Sequence, residues 1–314
     1  MKIPRGRATG VVSSLASALF LGLAPVFGKA AIELGFSPLF VVAVRTSLAA
    51  LLLFLIVAIF KRHYLYIFPA GLLGCMLAGA LNGAGSILYY QSLSHLPASI
   101  GQLVYSIYPL FVALWLILDN QPPSWMTILR MGLALFAIIL LTFTDSSAPD
   151  PTGILLMIGA AALYALHIPI NQRVLYEIPA PTVTLYTLFA MSMVVVPAFL
   201  LFDRTFPQPN SNFGPLLGLT LVTFFSRLTL FLGVKHLGGM QAALLGLAEI
   251  FVTVLASYFL LGEQFSAVQW LGAIILGISL LLFGFEKNTP SRRSGGWLSW
   301  ISSPKPNITI PFDQ

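Results

Sequence analysis

The sequence predicts an all-α integral membrane protein of ten transmembrane helices, arranged as two inverted five-helix repeats. Three observations predict it. Hydrophobic residues make up 58% of the 314 residues and charged residues only 8%, with a mean hydropathy of +0.91. A soluble domain carries about 25% charged residues, so this chain cannot cover a globular surface with polar side chains. The apolar residues fall into blocks of roughly 20, the length that crosses a bilayer as a helix. Short signatures also recur in the same order at offsets of 140 to 144 residues. A soluble enzyme, a disordered chain and a coiled coil are excluded.

Ten spans are read at 11–30, 38–60, 67–93, 97–118, 125–144, 153–171, 181–201, 214–234, 239–261 and 267–284. The breaks between them carry turn chemistry, as in Gly35-Phe36-Ser37-Pro38, Gln121-Pro122-Pro123-Ser124, Ser146-Ser147-Ala148-Pro149 and Pro207-Gln208-Pro209-Asn210. Residues 1–9 form a short N-terminal segment, 10–144 the first repeat and 153–284 the second. Residues 285–314 read as a flexible cytoplasmic tail, because the chain from Glu286 onward is rich in Ser, Pro and Arg. Trp297 and Trp300 offer the alternative of a tail resting on the membrane surface. Lys2, Arg5 and Arg7 before an apolar run resemble a signal peptide. The run is long, however, and echoed later, so it reads as a retained helix.

Orientation follows from the positive residues. With the N-terminus in the cytoplasm, twelve of the 16 Lys and Arg residues are cytoplasmic, only Lys29 and Arg204 lie outside, and Arg45 and Arg227 are embedded. Both termini are therefore placed in the cytoplasm. The sequon Asn307-Ile308-Thr309 then has no meaning. The net charge of +6 marks span ends and gives no reason to invoke nucleic acid. The single cysteine, Cys75, reads as a small buried apolar residue. No metal-ligand cluster and no cofactor motif is present.

The internal echoes pair Ala18-Leu19-Phe20 and Pro25 with Ala162-Leu163-Tyr164 and Pro169, and His95-Leu96 with His236-Leu237. They also pair Pro109-Leu110-Phe111-Val112 with Glu249-Ile250-Phe251-Val252, and Gly132 with Gly272. Five spans per half is odd, so a second half with the same internal order enters the membrane from the opposite side. Inverted repeats of this kind are common in secondary transporters, with the site near the midplane between the halves.

In this arrangement the chain resembles the EamA branch of the drug/metabolite transporter superfamily over residues 10–284. The resemblance rests on Pro38 followed by Arg45, Pro109, Leu261-Gly262-Glu263 and Trp270-Leu271-Gly272. Two departures are visible. Span 4 ends in Leu118-Asp119-Asn120 without a Gly-Glu pair, and Glu249 stands where a Glu-Pro pair is often found. The resemblance implies transport of small organic solutes, often outward and without ATP.

No P-loop, H-E-x-x-H or G-x-S-x-G motif is present, so neither ATP-driven pumping nor hydrolysis is expected. The informative residues are ionisable groups at membrane depth, which cost roughly 2.5–3.5 kcal/mol to insert and need a partner or a wet cavity. Glu249 lies ten residues into its span, about 15 Å deep at 1.5 Å per residue. It could carry a coupling proton, face a substrate ammonium or serve as a structural carboxylate. Arg227 could pair with Glu249 or grip a substrate carboxylate. Arg45 could snorkel outward or act in gating and packing. Asp119 and Glu263 sit at span ends, where water can reach them.

Asn82, Ser86 and Tyr89 form one polar stripe, as do Gln102, Tyr105 and Pro109. His167 lies on one helix face with Tyr164 and Asn171, as a core histidine or a cavity residue. Phe20 and Tyr164 each precede a proline, Pro25 or Pro169, by five residues. Matching bends there point to a shared site. Gly79, Gly83, Gly214 and Gly218 form two GxxxG patterns suited to close helix packing.

The reading is therefore a secondary transporter, in the exporter direction, of small polar or amphipathic metabolites such as amino acids. It sits in a bacterial plasma membrane, with a small-molecule solute and the lipid bilayer as partners and a homodimer left open. A passive channel, or a membrane scaffold or enzyme without transport, are the alternatives.

Overall fold

The structure is a computed structural model that describes residues 5–142, 150–203, 205–207, 212–261, 266–282 and 296–301. Lys2, Ser147, Arg204, Asn210, Gly262, Glu263 and Asn307 lie outside the described residues. Among those described, every regular element is helical. The first half comprises α1 (Arg5–Glu33), α2 (Pro38–Phe60), α3 (Pro69–His95), α4 (Ala98–Tyr105), α5 (Tyr108–Leu118) and α6 (Trp125–Thr142). The second comprises α7 (Pro151–Leu175), α8 (Ala180–Phe202), α9 (Gly214–Leu237), α10 (Gly239–Gly246), α11 (Glu249–Ala256) and α12 (Ala267–Leu281). A π-helical turn, Ser257–Leu261, extends α11.

Helix starts are written in the sequence. Proline opens α2, α3 and α7, where its missing N–H costs nothing. Ser37 Oγ accepts from Phe40 N at 3.2 Å and Asp150 Oδ1 from Thr152 N at 2.8 Å. Ser266 and Gln269 form a capping box before α12. The α9–α10 corner turns at Gly238, whose φ of 82° suits glycine.

Eight described helical stretches are long and apolar enough to cross a membrane, counting Ala98–Leu118 and Gly239–Leu260 as one each. Two shorter apolar helices, Trp125–Leu140 and Ala267–Leu281, occupy the fifth place of each half. The outer face of the bundle carries bare apolar side chains such as Phe202, Trp125 and Leu281, each more than three-quarters exposed. Lipid accommodates such a surface and water does not.

The halves pack by exchange. α1 lies along α9 and α3 along α7, while α2 lies along α8 and α6 along α12. Matching α1 to α7 and α3 to α9 turns the first pair into the second. The same exchange appears in detail. A Cβ on Gly10 would come 2.7 Å from Leu237 Cγ, and one on Gly153 would come 2.7 Å from Leu96 Cγ. The repeated His-Leu pairs thus close each half's third-to-fourth corner over a glycine of the other half. Gly79 and Gly83 pack on Ala190 and Met191 of α8, and Gly218 packs on Phe27. Gly214 meets only Asn212, just ahead of its own helix, so the second GxxxG pattern does not make a helix crossing at both positions.

The helix breaks fall elsewhere than the prolines suggest. α1 and α7 run through Pro25 and Pro169 without interruption. The interruptions are at Ser106-Ile107, between α4 and α5, and at Leu247-Ala248, between α10 and α11. Pro109 cannot donate to the Tyr105 carbonyl, which accounts for the first. The second has no proline and is a tightened turn, with Leu247 N bonded to Leu244 O and Ala248 N to Leu245 O. Tyr108 Oη, just after the first break, donates to Ala243 O at 2.9 Å, just before the second.

One sequence expectation is corrected at the end that holds Asp119. Asp119 is not reached by water: it is fully buried and paired with Arg173 at 2.7 Å. Of the tail, only residues 296–301 are among the described residues, and these are packed. Leu298 and Ile301 join the main apolar core, and Leu298 N donates to Asp119 Oδ1 at 3.2 Å. Trp297, Leu298, Trp300 and Ile301 make this segment apolar, unlike the tail as a whole.

Removing one member of a buried ion pair leaves an uncompensated charge, at about 3–5 kcal/mol. Asp119→Ala should therefore lower the thermal midpoint of the purified protein strongly, and Asp119→Ala with Arg173→Met should recover most of it. Equal losses in the single and double variants would show that the pair is not the source.

Candidate functional site

Seven of the helices contribute to one cavity of about 40 Å³. Its wall holds Arg45 from α2, Asn82, Ser86, Tyr89 and Tyr90 from α3, and Gln102 and Tyr105 from α4. Leu21 and Ala24 of α1, Tyr164 of α7, Arg227 of α9 and Glu249 of α11 complete it. Asn82, Tyr164 and Arg227 stand near the middle of their helices, so both halves meet at mid-depth.

The α3 stripe works as its spacing suggests: residues four and three apart share a helix face. Tyr89 Oη donates to Gln102 Oε1 at 3.1 Å. Asn82 Nδ2 reaches Met191 Sδ at 3.3 Å, and Asn82 Oδ1 accepts from Arg227 Nη2 at 3.4 Å. Arg227 also lies over the Tyr164 ring, 5.4 Å from its centroid. Tyr164 packs on Tyr105 and Tyr108 at centroid distances of 5.3 and 5.1 Å. The aromatic wall thus passes from one half to the other.

Arg45 does not snorkel. It is 5% exposed and turns inward, donating from Nη1 to Thr223 Oγ1 at 3.0 Å and lying 4.7 Å from the Tyr90 ring centroid. The quadrupole of a tyrosine face attracts a guanidinium, and more so when water is excluded.

Arg227 and Glu249 face the same cavity, but no hydrogen bond joins them. Arg227 keeps Nε and Nη1 without a protein partner, Arg45 keeps Nε, Gln102 keeps Nε2 and Glu249 keeps Oε1. Glu249 is 2% exposed and is the first residue of α11. The helix break sets its carboxyl at a helix N-terminus, where the dipole favours negative charge.

Phe20, expected beside Tyr164, does not line the cavity. Its ring stacks on Phe225 at 5.2 Å. His167 does not line it either: it is buried behind Tyr164, with Nδ1 bonded to Tyr164 O and its ring 4.6 Å from the Tyr164 ring. Pro25 and Pro169 are likewise absent from the wall, and Pro109 borders a separate apolar cavity beside the α4–α5 break. Tyr90 is the residue missed in the sequence. It lies one position off the polar stripe, and the signal that could have found it is the need of Arg45 for an aromatic or anionic neighbour.

A model of the EamA-like transporter family matches this chain twice, over residues 8–143 and again over 151–285. The chain belongs to the EamA-like transporter family. Two relatives carry transporter names. "Uncharacterized transporter sll1319" of Synechocystis sp. is 25% identical over 65% of this chain and 64% of its own length. "Uncharacterized transporter YwfM" of Bacillus subtilis is 29% identical over 54% and 57%. The match thus spans less than two thirds of either relative. A solved crystal structure shares the fold at a TM-score of 0.71, with 14% identity over 88% of this chain and 97% of its own. The family match and the apolar helices together describe a multi-pass membrane protein.

Site and core roles separate by substitution. Tyr164→Phe keeps the ring but removes the hydroxyl from the cavity, and should raise the apparent KM with little change in folded protein. Phe20→Ala should instead lower folded protein and activity together, since aromatic-to-Ala changes in a packed region cost roughly 3–5 kcal/mol. A KM change for Phe20→Ala at unchanged stability would reverse that assignment.

Proposed function

We propose that this chain is a secondary transporter that exports small polar or amphipathic metabolites, amino acids foremost, across a bacterial plasma membrane by alternating access. The observation that carries the reading is the mid-depth cavity between the halves, with its open arginine donors and open carboxylate acceptor. Buried polar groups without partners are rare and call for a ligand or water. A carboxylate, guanidiniums and aromatic faces suit a zwitterion. The charged lining residues are at most 5% exposed, which favours a carrier that closes over its solute above an open channel.

The proposal counts ten transmembrane helices: the eight long stretches together with α6 and α12. The second five-helix half is inverted relative to the first, and both termini are cytoplasmic. The surplus of Lys and Arg on one side supports this orientation. Export is the direction that the family resemblance implies. Rocking of one half on the other about the cavity is the motion that inverted repeats allow.

Glu249 is the candidate coupling group, because moving one charge across the membrane is worth about 2.3 kcal/mol per 100 mV. Glu249→Gln keeps size and hydrogen bonding but cannot release a proton. In proteoliposomes this variant should still exchange substrate for substrate, while losing accumulation against a gradient and the pH dependence of transport. Gradient-driven transport at the normal rate by a folded Glu249→Gln protein would end the coupling role.

A further inference from the structure

We infer that the cavity is built for an α-amino dicarboxylate, a solute with one ammonium and two carboxylates and a net charge of −1 at neutral pH. The inference rests on the transport reading above and narrows its substrate.

Charge balance leads to it. The cavity wall holds two guanidiniums, Arg45 and Arg227, which stay protonated in proteins, and among the described residues one carboxylate, Glu249. Among the described residues, no ion pair joins that carboxylate to either arginine, and no second carboxylate lines the wall. In the state with Glu249 deprotonated, the three groups leave one positive charge uncompensated among buried side chains, where an unpaired charge is costly. A solute of charge −1 removes the imbalance.

Placement of the open atoms separates the solute's groups. Arg45 is fixed on Tyr90 and Thr223, and Arg227 on Tyr164 and Asn82. The guanidiniums come from different helices and rest on different rings, so they offer two anion positions, one with Nε open and one with Nε and Nη1 open. Planar guanidinium donors suit carboxylates. Glu249 Oε1, without a partner and nine-tenths buried or more, accepts when the carboxyl is deprotonated, and so calls for a donor such as ammonium. A neutral zwitterion leaves one guanidinium unmatched. A basic amino acid adds a positive charge beside two others. A plain dicarboxylate leaves Glu249 without its donor and adds a second negative charge.

The test uses the full chain in proteoliposomes, preloaded with unlabelled L-glutamate or, in parallel, with L-glutamine, and assayed by counterflow of the same labelled compound. Labelled glutamate should exchange, and L-aspartate should compete at similar concentration. L-glutamine, L-lysine and succinate should each need about ten- to a hundredfold more, the loss expected when one charged hydrogen bond goes unmade. Arg45→Gln, compared at matched amounts of folded protein, should narrow the gap between glutamate and glutamine. Glutamine exchange that glutamate inhibits no better than lysine does would overturn the inference and leave the transport reading standing. Failure of both amino acids to exchange through a folded protein would overturn the inference and the amino-acid reading together.

Discussion

Two guanidiniums and a carboxylate buried inside an apolar bundle are the constraint on which the rest of this structure depends. Each such group costs roughly 2.5–3.5 kcal/mol to place at a bilayer centre, so each needs a built environment. Arg45 has a tyrosine face and a threonine hydroxyl, and Arg227 a tyrosine face and an asparagine oxygen. Glu249 has the start of a half-helix. These arrangements stabilise the charges without neutralising them, and the open valences that remain are what make the cavity a site rather than a core.

The fold supplies those environments through two devices. Exchanged helix pairs, α1 with α9 and α3 with α7, approach closely because Gly10 and Gly153 lack side chains. This brings seven helices together around the cavity. Broken helices supply backbone termini where an unbroken helix would present none. The breaks at Ser106-Ile107 and Leu247-Ala248 are tied to each other by Tyr108, so a shift in one half reaches the other through a direct bond. At the opposite extreme, the buried Asp119–Arg173 pair and the docked Leu298 hold one end of the bundle firmly.

Much of this was legible in the sequence because lipid imposes simple rules. Low charge and apolar blocks fixed the class, and the echoed residues marked the two halves before any contact was seen. Polar stripes placed Asn82, Ser86, Tyr89, Gln102 and Tyr105 inward, since lipid disfavours such faces, and insertion cost singled out Arg227 and Glu249. What failed was reading local signals as if they fixed tertiary direction. Proline frees a carbonyl but need not stop a helix, so Pro25 and Pro169 misplaced the bends. The break at Leu247-Ala248 carries no proline, with Gly246 beside it as its one local signal. Phe20 matches Tyr164 in position, yet the stacking partner on α9, Phe225, decides where its ring goes. Arg45 was within reach of the outer interface, and only the position of Tyr90 turns it inward. Asp119 looked exposed because its partner is 54 residues away.

The central claim is that this cavity opens to each side of the membrane in turn. Ser86 lines it, and Cys75 is the single native cysteine, so Ser86→Cys in a Cys75→Ala background reports on the cavity alone. In a variant that still transports, the account predicts reaction with membrane-impermeant thiol reagents added from either side, slowed from both sides by a transported amino acid. A thiol at position 86 that stays inert from both sides of an actively transporting protein would contradict it.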